Sequence, residues 1–169
     1  MMAYGDRFTL VEDYLAHVDP LMSRIEDPFV EARYTGFIAT SAVTAYELAI
    51  KDIFYEFAEK KHVILGSVTR AKFSRMNGRI KLKELKDEHV KMFGTKYLNR
   101  FERNLENVEN RYIRTHSKSP KTAYNNVITW RHQFVHEGTL PNTTNYLEIK
   151  DQYLAGKEVI HCLFRTMAR

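Results

Sequence analysis

Residues 27–61 read DPFVEARYTGFIATSAVTAYELAIKDIFYEFAEKK and form the longest uninterrupted helical pattern in the chain. Asp27 followed by Pro28 is typical of a helix start, because the aspartate can accept from free backbone N–H groups and the proline needs no partner in the first turn. Apolar side chains then recur every three or four residues, at Phe37, Val43, Tyr46, Ile50, Ile53, Phe54 and Phe57. This broad apolar face predicts the central helix of a bundle core.

The remaining sequence predicts further helices and no strands. Glycine and proline are few, with 7 and 4 among 169 residues, and no segment alternates between apolar and polar side chains as a strand would. The helical patterns cover about residues 9–25 with a bend at Pro20, 96–115, 119–138 and 145–167. We therefore predict an all-α fold, with four long helices around one core.

Between the second and the last two core helices, the pattern is interrupted. Glycines break residues 62–94 into short helical pieces, and a charged helix follows, so we interpret about 62–116 as a basic helical insertion in a single domain, 1–169. Gly138 is the predicted C-cap of the penultimate helix, and the turn TLPNTTN, residues 139–145, leads to the last helix.

Positive charge is concentrated in the middle of the chain. Residues 60–121 contain 17 Lys and Arg against 6 Asp and Glu, so this segment carries +11 and the remainder −6. Apolar and aromatic side chains are interleaved with the charges at Phe73, Met76, Phe93, Tyr97, Phe101 and Tyr112. Cations and stacking rings together are typical of a surface that binds an anionic polymer, whereas simple solvation of long charged helices explains the charge equally well.

The end of the penultimate predicted helix, RHQFVHEG at residues 131–138, places one arginine and two histidines together. His132 and His136 are four residues apart, as two zinc ligands on one helix face would be. The zinc-protease pattern requires glutamate after the first histidine, where this chain has Gln133, and no third ligand is evident, so we predict no metal. The alternative is that these cations only interact favourably with the helix dipole.

The same residues resemble the signature of the HEPN superfamily, many of whose members are metal-independent ribonucleases. That signature is an arginine, a polar residue, three further residues and a histidine at the end of the penultimate helix of an α-bundle. Arg131, His132 and His136 match it in order, and a short loop leads to the final helix. The resemblance is to the RiboL-PSP type of HEPN domain and covers about residues 28–60 and 119–167.

The chain also contains a decoy, because Arg111 and His116 have the same spacing. In a chain with 13 arginines and 7 histidines, chance produces about half of one such pair. Tyr112 follows the decoy arginine instead of a small polar residue, and its helix leads to another long helix instead of a closing turn. We therefore place the site at residues 131–136.

A carboxylate is the next residue that the resemblance implies. The segment SAVTAYELAIKDIF, residues 41–54, resembles the second helix of the family, where an acidic residue often faces the motif, and Glu47 is the matching position. The alternative is an ordinary ion pair with Lys51, four residues on. The sequence leaves both interpretations open.

The resemblance implies cleavage by the ribose 2′-hydroxyl without a cofactor. In that chemistry His136 transfers a proton, Arg131 stabilises charge on the phosphate, and His132 orients either of them or acts as a second acid or base. Because one motif supplies few groups, HEPN nucleases typically dimerise so that two motifs face one cleft, and we expect a homodimer. The RNA-binding residues that we predict in the basic segment are Arg70, Lys72, Arg75 and Arg79.

Other functions stay open at this point. One is a non-catalytic HEPN module that binds RNA, nucleotides or a protein, and another is a metal-dependent hydrolase built on His132 and His136. In the HEPN branch that pairs with small nucleotidyltransferases, a tyrosine stands two residues after the motif histidine; Gly138 occupies that position, so inactivation through that tyrosine is not expected. The resemblance leaves open a role as a toxin or phage-defence effector with an antitoxin partner.

The sequence predicts a cytoplasmic protein without membrane segments. No apolar run approaches the length of a bilayer, and the start of the chain lacks a basic region followed by an apolar block. Cys162, the single cysteine, lies among apolar residues at helical spacing, so we expect it to pack as a small apolar side chain and to form no disulfide.

Overall fold

The computed structural model describes residues 3–141 and 144–168, and within these residues the regular elements are all helical. The helices are α1 (Ala3–Asp6), α2 (Thr9–Met22), α3 (Pro28–Lys61), α4 (Val63–Phe73), α5 (Leu82–Glu84), α6 (Thr95–His116), α7 (Pro120–Glu137) and α8 (Tyr146–Met167). A π-helical turn, Leu85–Val90, and a 3₁₀ turn, Lys91–Phe93, continue α5. Two residues of the predicted turn at 139–145, Asn142 and Thr143, lie outside the described residues.

The prediction of an all-α bundle is confirmed. Helix α3 packs against α7 and α8, α7 packs along α8, and α2 lies on α3. In the basic segment, α4 packs on α3 and α6 packs on α8. In the described residues no helix is long and apolar enough to cross a membrane.

The predicted ends of α3 and α7 are also confirmed. The Asp27 side chain accepts the backbone N–H of Phe29, and Pro28 is the first residue of α3. At the other site, Gly138 ends α7 with φ +70°, a left-handed conformation that favours glycine. Local chemistry therefore fixes both boundaries.

The prediction for Phe37 is wrong. Its side chain is 46% exposed and lies against Tyr14 of α2, with ring centroids 5.1 Å apart. The core face passes through the next positions, Ile38 and Ala39, and continues through Ala42. Small side chains on that face let α7 and α8 approach closely, and this contact fixes the rotation of α3.

Three buried tyrosines connect the core helices. The rings of Tyr46 and Tyr124 stack at 5.3 Å, and those of Tyr46 and Tyr153 at 5.8 Å. The Tyr46 hydroxyl donates to the carbonyl of Tyr153 at 2.7 Å. Gly156 makes this packing possible, because a Cβ there would lie 2.5 Å from the Tyr46 hydroxyl oxygen. Burial raises the pKa of Tyr46 and Tyr124 well above the usual value, so both hydroxyls remain donors.

Four of the six interleaved apolar side chains of the basic segment pack on the bundle and do not form a stacking surface. Phe73, Met76 and Phe101 are buried, and Phe93 packs on Phe54 at 5.2 Å. The expectation of exposed stacking rings was wrong for these residues, because a segment of short helices needs apolar anchors to remain on the bundle. The prediction for Cys162 is confirmed, since it is fully buried and unpaired.

Candidate active site

Arg131, His132 and His136 line one cleft near the C-terminal end of α7. One wall is formed by residues 77–84, which we call the strap, and Val43 of α3 and Ile128 of α7 also line the cleft. The strap belongs to the basic segment, so this segment contributes directly to the site.

The end of α7 is fixed to α3 by one close contact and one cation. A Cβ on Gly36 would lie 2.2 Å from the Phe134 ring, so only glycine admits this ring at that distance. The Arg33 guanidinium lies 5.9 Å from the centre of the same ring and donates to the carbonyl of Gly138 at 3.3 Å. Because Phe134 stands between Arg131 and His136 in sequence, these contacts set the position of the motif.

The strap begins with a tight turn. Asn77 and Gly78 have φ of +43° and +78°, and the N–H of Arg79 donates to the carbonyl of Met76 at 3.0 Å. Two positive φ angles in succession are typical of a type I′ turn, which favours the sequence Asn-Gly. The turn brings the backbone of Gly78 to the edge of the cleft.

Three buried or half-buried side chains of α3 and α7 hold the strap through its backbone. Glu47 Oε2 accepts the N–H of Gly78 at 2.6 Å, and the Tyr124 hydroxyl donates to the carbonyl of Ile80 at 2.6 Å. Asn125 Oδ1 accepts the N–H of Leu82 at 3.0 Å. The strap is therefore attached to both α3 and α7.

Arg131 is half-buried and has no anionic partner in the described residues. No Asp or Glu oxygen within those residues lies within 4.0 Å of its guanidinium, and its buried Nε has no hydrogen-bond acceptor there. Its Nη1 is the nearest atom, at 3.7 Å, to the place where a Cβ of Gly78 would stand. An unpaired guanidinium in a cleft is suited to binding an anion.

The two histidines lie side by side. Their ring centroids are 4.4 Å apart, the planes are tilted by 47°, and both side chains are exposed. Across residues 3–141 and 144–168 there is no group of three or more His, Cys, Asp or Glu side chains that could hold a metal ion. The pair therefore has no third ligand within the described chain.

Glu47 reaches the site through the strap. Its Oε1 accepts from Lys51 at 2.6 Å, so the ion pair that the sequence left open as an alternative is present, while Oε2 accepts the N–H of Gly78. The contact with Gly78 joins residues 31 positions apart and could not be predicted from α3 alone. The Asn77-Gly78 pair does predict a turn, but nothing in the sequence shows that this turn packs against Glu47 of α3.

Of the four predicted RNA-binding residues, Arg79 alone lines the cleft. Arg79 lines the cleft and pairs with Glu88 at 2.8 Å. Arg70 lies elsewhere, against Glu59, while Lys72 and Arg75 are exposed and do not line the cleft. A further cation that the sequence did not single out, Lys81, does line it.

The decoy pair lies outside the cleft. Arg111 and His116 are on the last turns of α6, and the His116 ring stacks on Tyr112 at 4.1 Å between centroids. The same spacing thus leads to two different environments, which separates the motif from its decoy.

The family model described as RiboL-PSP-HEPN matches residues 4–169. No curated protein and no solved structure matches the chain. The family match is wider than the stretches that carried the resemblance in the sequence, because it includes the whole segment 62–116.

Proposed function

The chain belongs to the RiboL-PSP-HEPN family, and on this premise we propose that it is a metal-independent endoribonuclease. The observation that supports this most strongly is the half-buried Arg131, which lines one cleft with two exposed histidines and has no carboxylate partner within the described residues. An anionic group of a substrate would provide the missing partner. Two imidazoles line the same cleft, and an imidazole is the side chain that most often transfers protons in catalysis.

The proposed reaction uses the substrate's own nucleophile. A base removes the proton of the ribose 2′-hydroxyl, the oxygen attacks the adjacent phosphorus, and the bond from phosphorus to the 5′-oxygen breaks as an acid protonates that oxygen. The products are a 2′,3′-cyclic phosphate and a 5′-hydroxyl. Arg131 stabilises the charge that develops on the non-bridging oxygens, and His136 carries one of the two proton transfers. His132 orients these groups or carries the other transfer.

Glu47 serves this site as a positioning residue. Both of its carboxylate oxygens have partners, Lys51 and the N–H of Gly78, and Gly78 stands beside Arg131. A direct role of Glu47 in proton transfer stays a prediction. Lys81 of the strap adds positive charge to the lining of the cleft, and Arg79 lines it while paired with Glu88. Both are proposed to contact neighbouring phosphates.

We propose that the active site is shared between two copies of the chain. In-line displacement places the attacking and leaving oxygens on opposite sides of the phosphorus, whereas His132 and His136 lie on one helix end with rings 4.4 Å apart. A two-fold axis would supply the second side, because an isologous interface repeats each group.

An exposed apolar stripe beside the motif supports this arrangement. It lies on the first part of α3, where Phe29 is 64% exposed and Phe37 is 46% exposed; Val30 and Tyr34 are exposed as well. Light scattering of the wild-type chain should give the mass of a dimer. Tyr34→Glu with Phe37→Glu should give monomers without cleavage, and full activity in a monomer would contradict the shared site.

The biological role that we propose is that of a growth-restricting effector, either a toxin with a protein antitoxin or a phage-defence nuclease, in the cytoplasm. Its support is the family and the proposed chemistry, because uncontrolled cleavage of RNA is harmful to a cell. Expression of the wild-type chain should slow growth, and expression of His136→Ala should not. Equal growth with both proteins would contradict the role.

The activity is tested directly by incubating the purified chain with total RNA in the presence of EDTA. Cleavage should persist and leave 2′,3′-cyclic phosphates. Loss of one charge-stabilising group typically reduces the rate by about 100- to 1000-fold, which is the loss expected for Arg131→Ala. Arg131→Lys should retain part of the activity, because lysine keeps the charge but lacks the planar guanidinium group that binds two oxygens at once. Cleavage that stops in EDTA, or RNA that is bound and never cut, would contradict the proposal.

A further inference from the structure

On one face of α6 the charged side chains are all cations. Five of them form what we call the α6 ridge: Lys96, Arg100, Arg103, Arg111 and Arg114. At 3.6 residues per turn they fall within an arc of about 80° and extend over about 27 Å of the helix. Arg100 is half-buried and the other four are exposed. Asn107 lies on the same face between Arg103 and Arg111 and is also exposed.

The acidic side chains of α6 lie on another flank and are already paired. Glu102 Oε1 lies 2.7 Å from Lys86, Glu106 pairs with Lys121, and buried Glu109 accepts the backbone N–H of Lys121 at 3.0 Å. None of the ridge cations has an Asp or Glu oxygen within 4.0 Å in the part of the chain that the structure describes. Within the described residues, therefore, no ion pair offsets the positive charge of the ridge.

This arrangement weakens the helix. Lys96 and Arg100 are four residues apart, and Arg100 and Arg103, like Arg111 and Arg114, are three apart, so like charges are neighbours on the surface. A face that is only solvated normally mixes the two signs, because alternating charges stabilise a helix. A row of one sign is instead suited to a ligand with repeated negative charge.

We propose that the α6 ridge binds the phosphate backbone of single-stranded RNA outside the catalytic cleft. Its cations follow one another along the helix in steps of about 4.5 to 6 Å, apart from one step of about 12 Å between Arg103 and Arg111. Four of the five are arginines, whose planar guanidinium groups match phosphate oxygens. The nearby ring of Tyr97 is half-buried and lies 5.7 Å from the Arg100 guanidinium. The ridge therefore holds RNA by charge without reading its bases.

The proposal rests on the proposed function in one respect only, that the chain acts on RNA. Binding is therefore measured with single-stranded 2′-O-methyl RNA, whose blocked oxygen cannot attack the phosphate, so that failure of cleavage and failure of binding are separate results. The wild-type affinity should fall with salt. Each phosphate contact on a single strand contributes about 0.7 to the log-log slope, so Arg103→Gln/Arg111→Gln/Arg114→Gln should lower the slope by about 2.

Two further triple variants are the controls. Arg103→Lys/Arg111→Lys/Arg114→Lys retains the charge and should retain nearly the wild-type slope, whereas a slope as low as that of the glutamine triple would overturn the proposal. Replacing Arg70, Lys72 and Arg75 by glutamine removes equal charge from three residues that the sequence predicted to bind RNA and that do not line the cleft, so this triple decides between that prediction and the ridge. It should change the slope by less than half as much as the ridge triple.

Other outcomes would also overturn the proposal that the α6 ridge binds RNA. An unchanged slope in the ridge triple, or an equal loss in the α4 triple, would show that RNA lies elsewhere or is attracted by net charge alone. Binding to phosphatidylserine vesicles that needs the ridge, with RNA binding that does not, would assign the ridge to a membrane surface. If RNA binding needs the ridge and unmodified RNA is not cleaved, the proposed nuclease function is refuted and RNA binding by the ridge is established.

Discussion

Replacement of Glu47 by alanine tests how the cleft wall is held. The substitution removes the carboxylate that accepts the N–H of Gly78 at 2.6 Å, and this N–H has no other acceptor among the described residues. A hydrogen bond to a charged group contributes about 1.5–3 kcal/mol. If the free energy of opening the turn locally falls by that amount, amide exchange at Gly78 becomes about 10- to 150-fold faster.

The assay is native-state hydrogen exchange at Gly78, with Glu56→Ala as the matched control. Glu56 lies on the same helix and pairs with a lysine four residues on, Lys60, but among the described residues its side chain makes no hydrogen bond or ion pair with the strap. The control should leave exchange at Gly78 unchanged, while Glu47→Ala accelerates it and lowers cleavage. Exchange at Gly78 that is equal in the wild type and in Glu47→Ala would refute the positioning role.

Three further predictions concern packing and titration. Gly36→Ala forces a Cβ to 2.2 Å from the Phe134 ring and should destabilise the fold by about 1–3 kcal/mol in urea unfolding, while Gly5→Ala, with open space around it, should not. Burial lowers the pKa of His161 below its usual 6.5, so its contribution to stability is complete above that pH and is lost as pH falls. Unfolding measured between about pH 7 and 5 should therefore show a smaller loss in His161→Gln than in the wild type, and equal losses would contradict this. Burial raises the pKa of Cys162 to about 11, so a thiol reagent should modify it rapidly only in unfolded protein; rapid reaction of the native chain would argue against a closed core.

Local chemistry explains which parts of this structure could be predicted. The start of α3 at Asp27-Pro28 and the end of α7 at Gly138 depend on residues within one helical turn, and both predictions are confirmed. The rotation of α3 depends on its contacts with other helices, so the periodic pattern misplaced Phe37 by one position. The strap depends on Glu47 meeting a backbone N–H 31 residues away, and no short pattern contains that information.

The most direct test of the central claim compares the two arginine–histidine pairs of equal spacing. Cleavage of one RNA in EDTA is measured for the wild type, for His136→Ala, and for His116→Ala at the decoy. We predict that His136→Ala reduces the rate by at least about 100-fold, as expected for loss of a proton-transfer group, while His116→Ala cleaves at the wild-type rate and leaves 2′,3′-cyclic phosphates. Equal rates for His136→Ala and the wild type would contradict the claim.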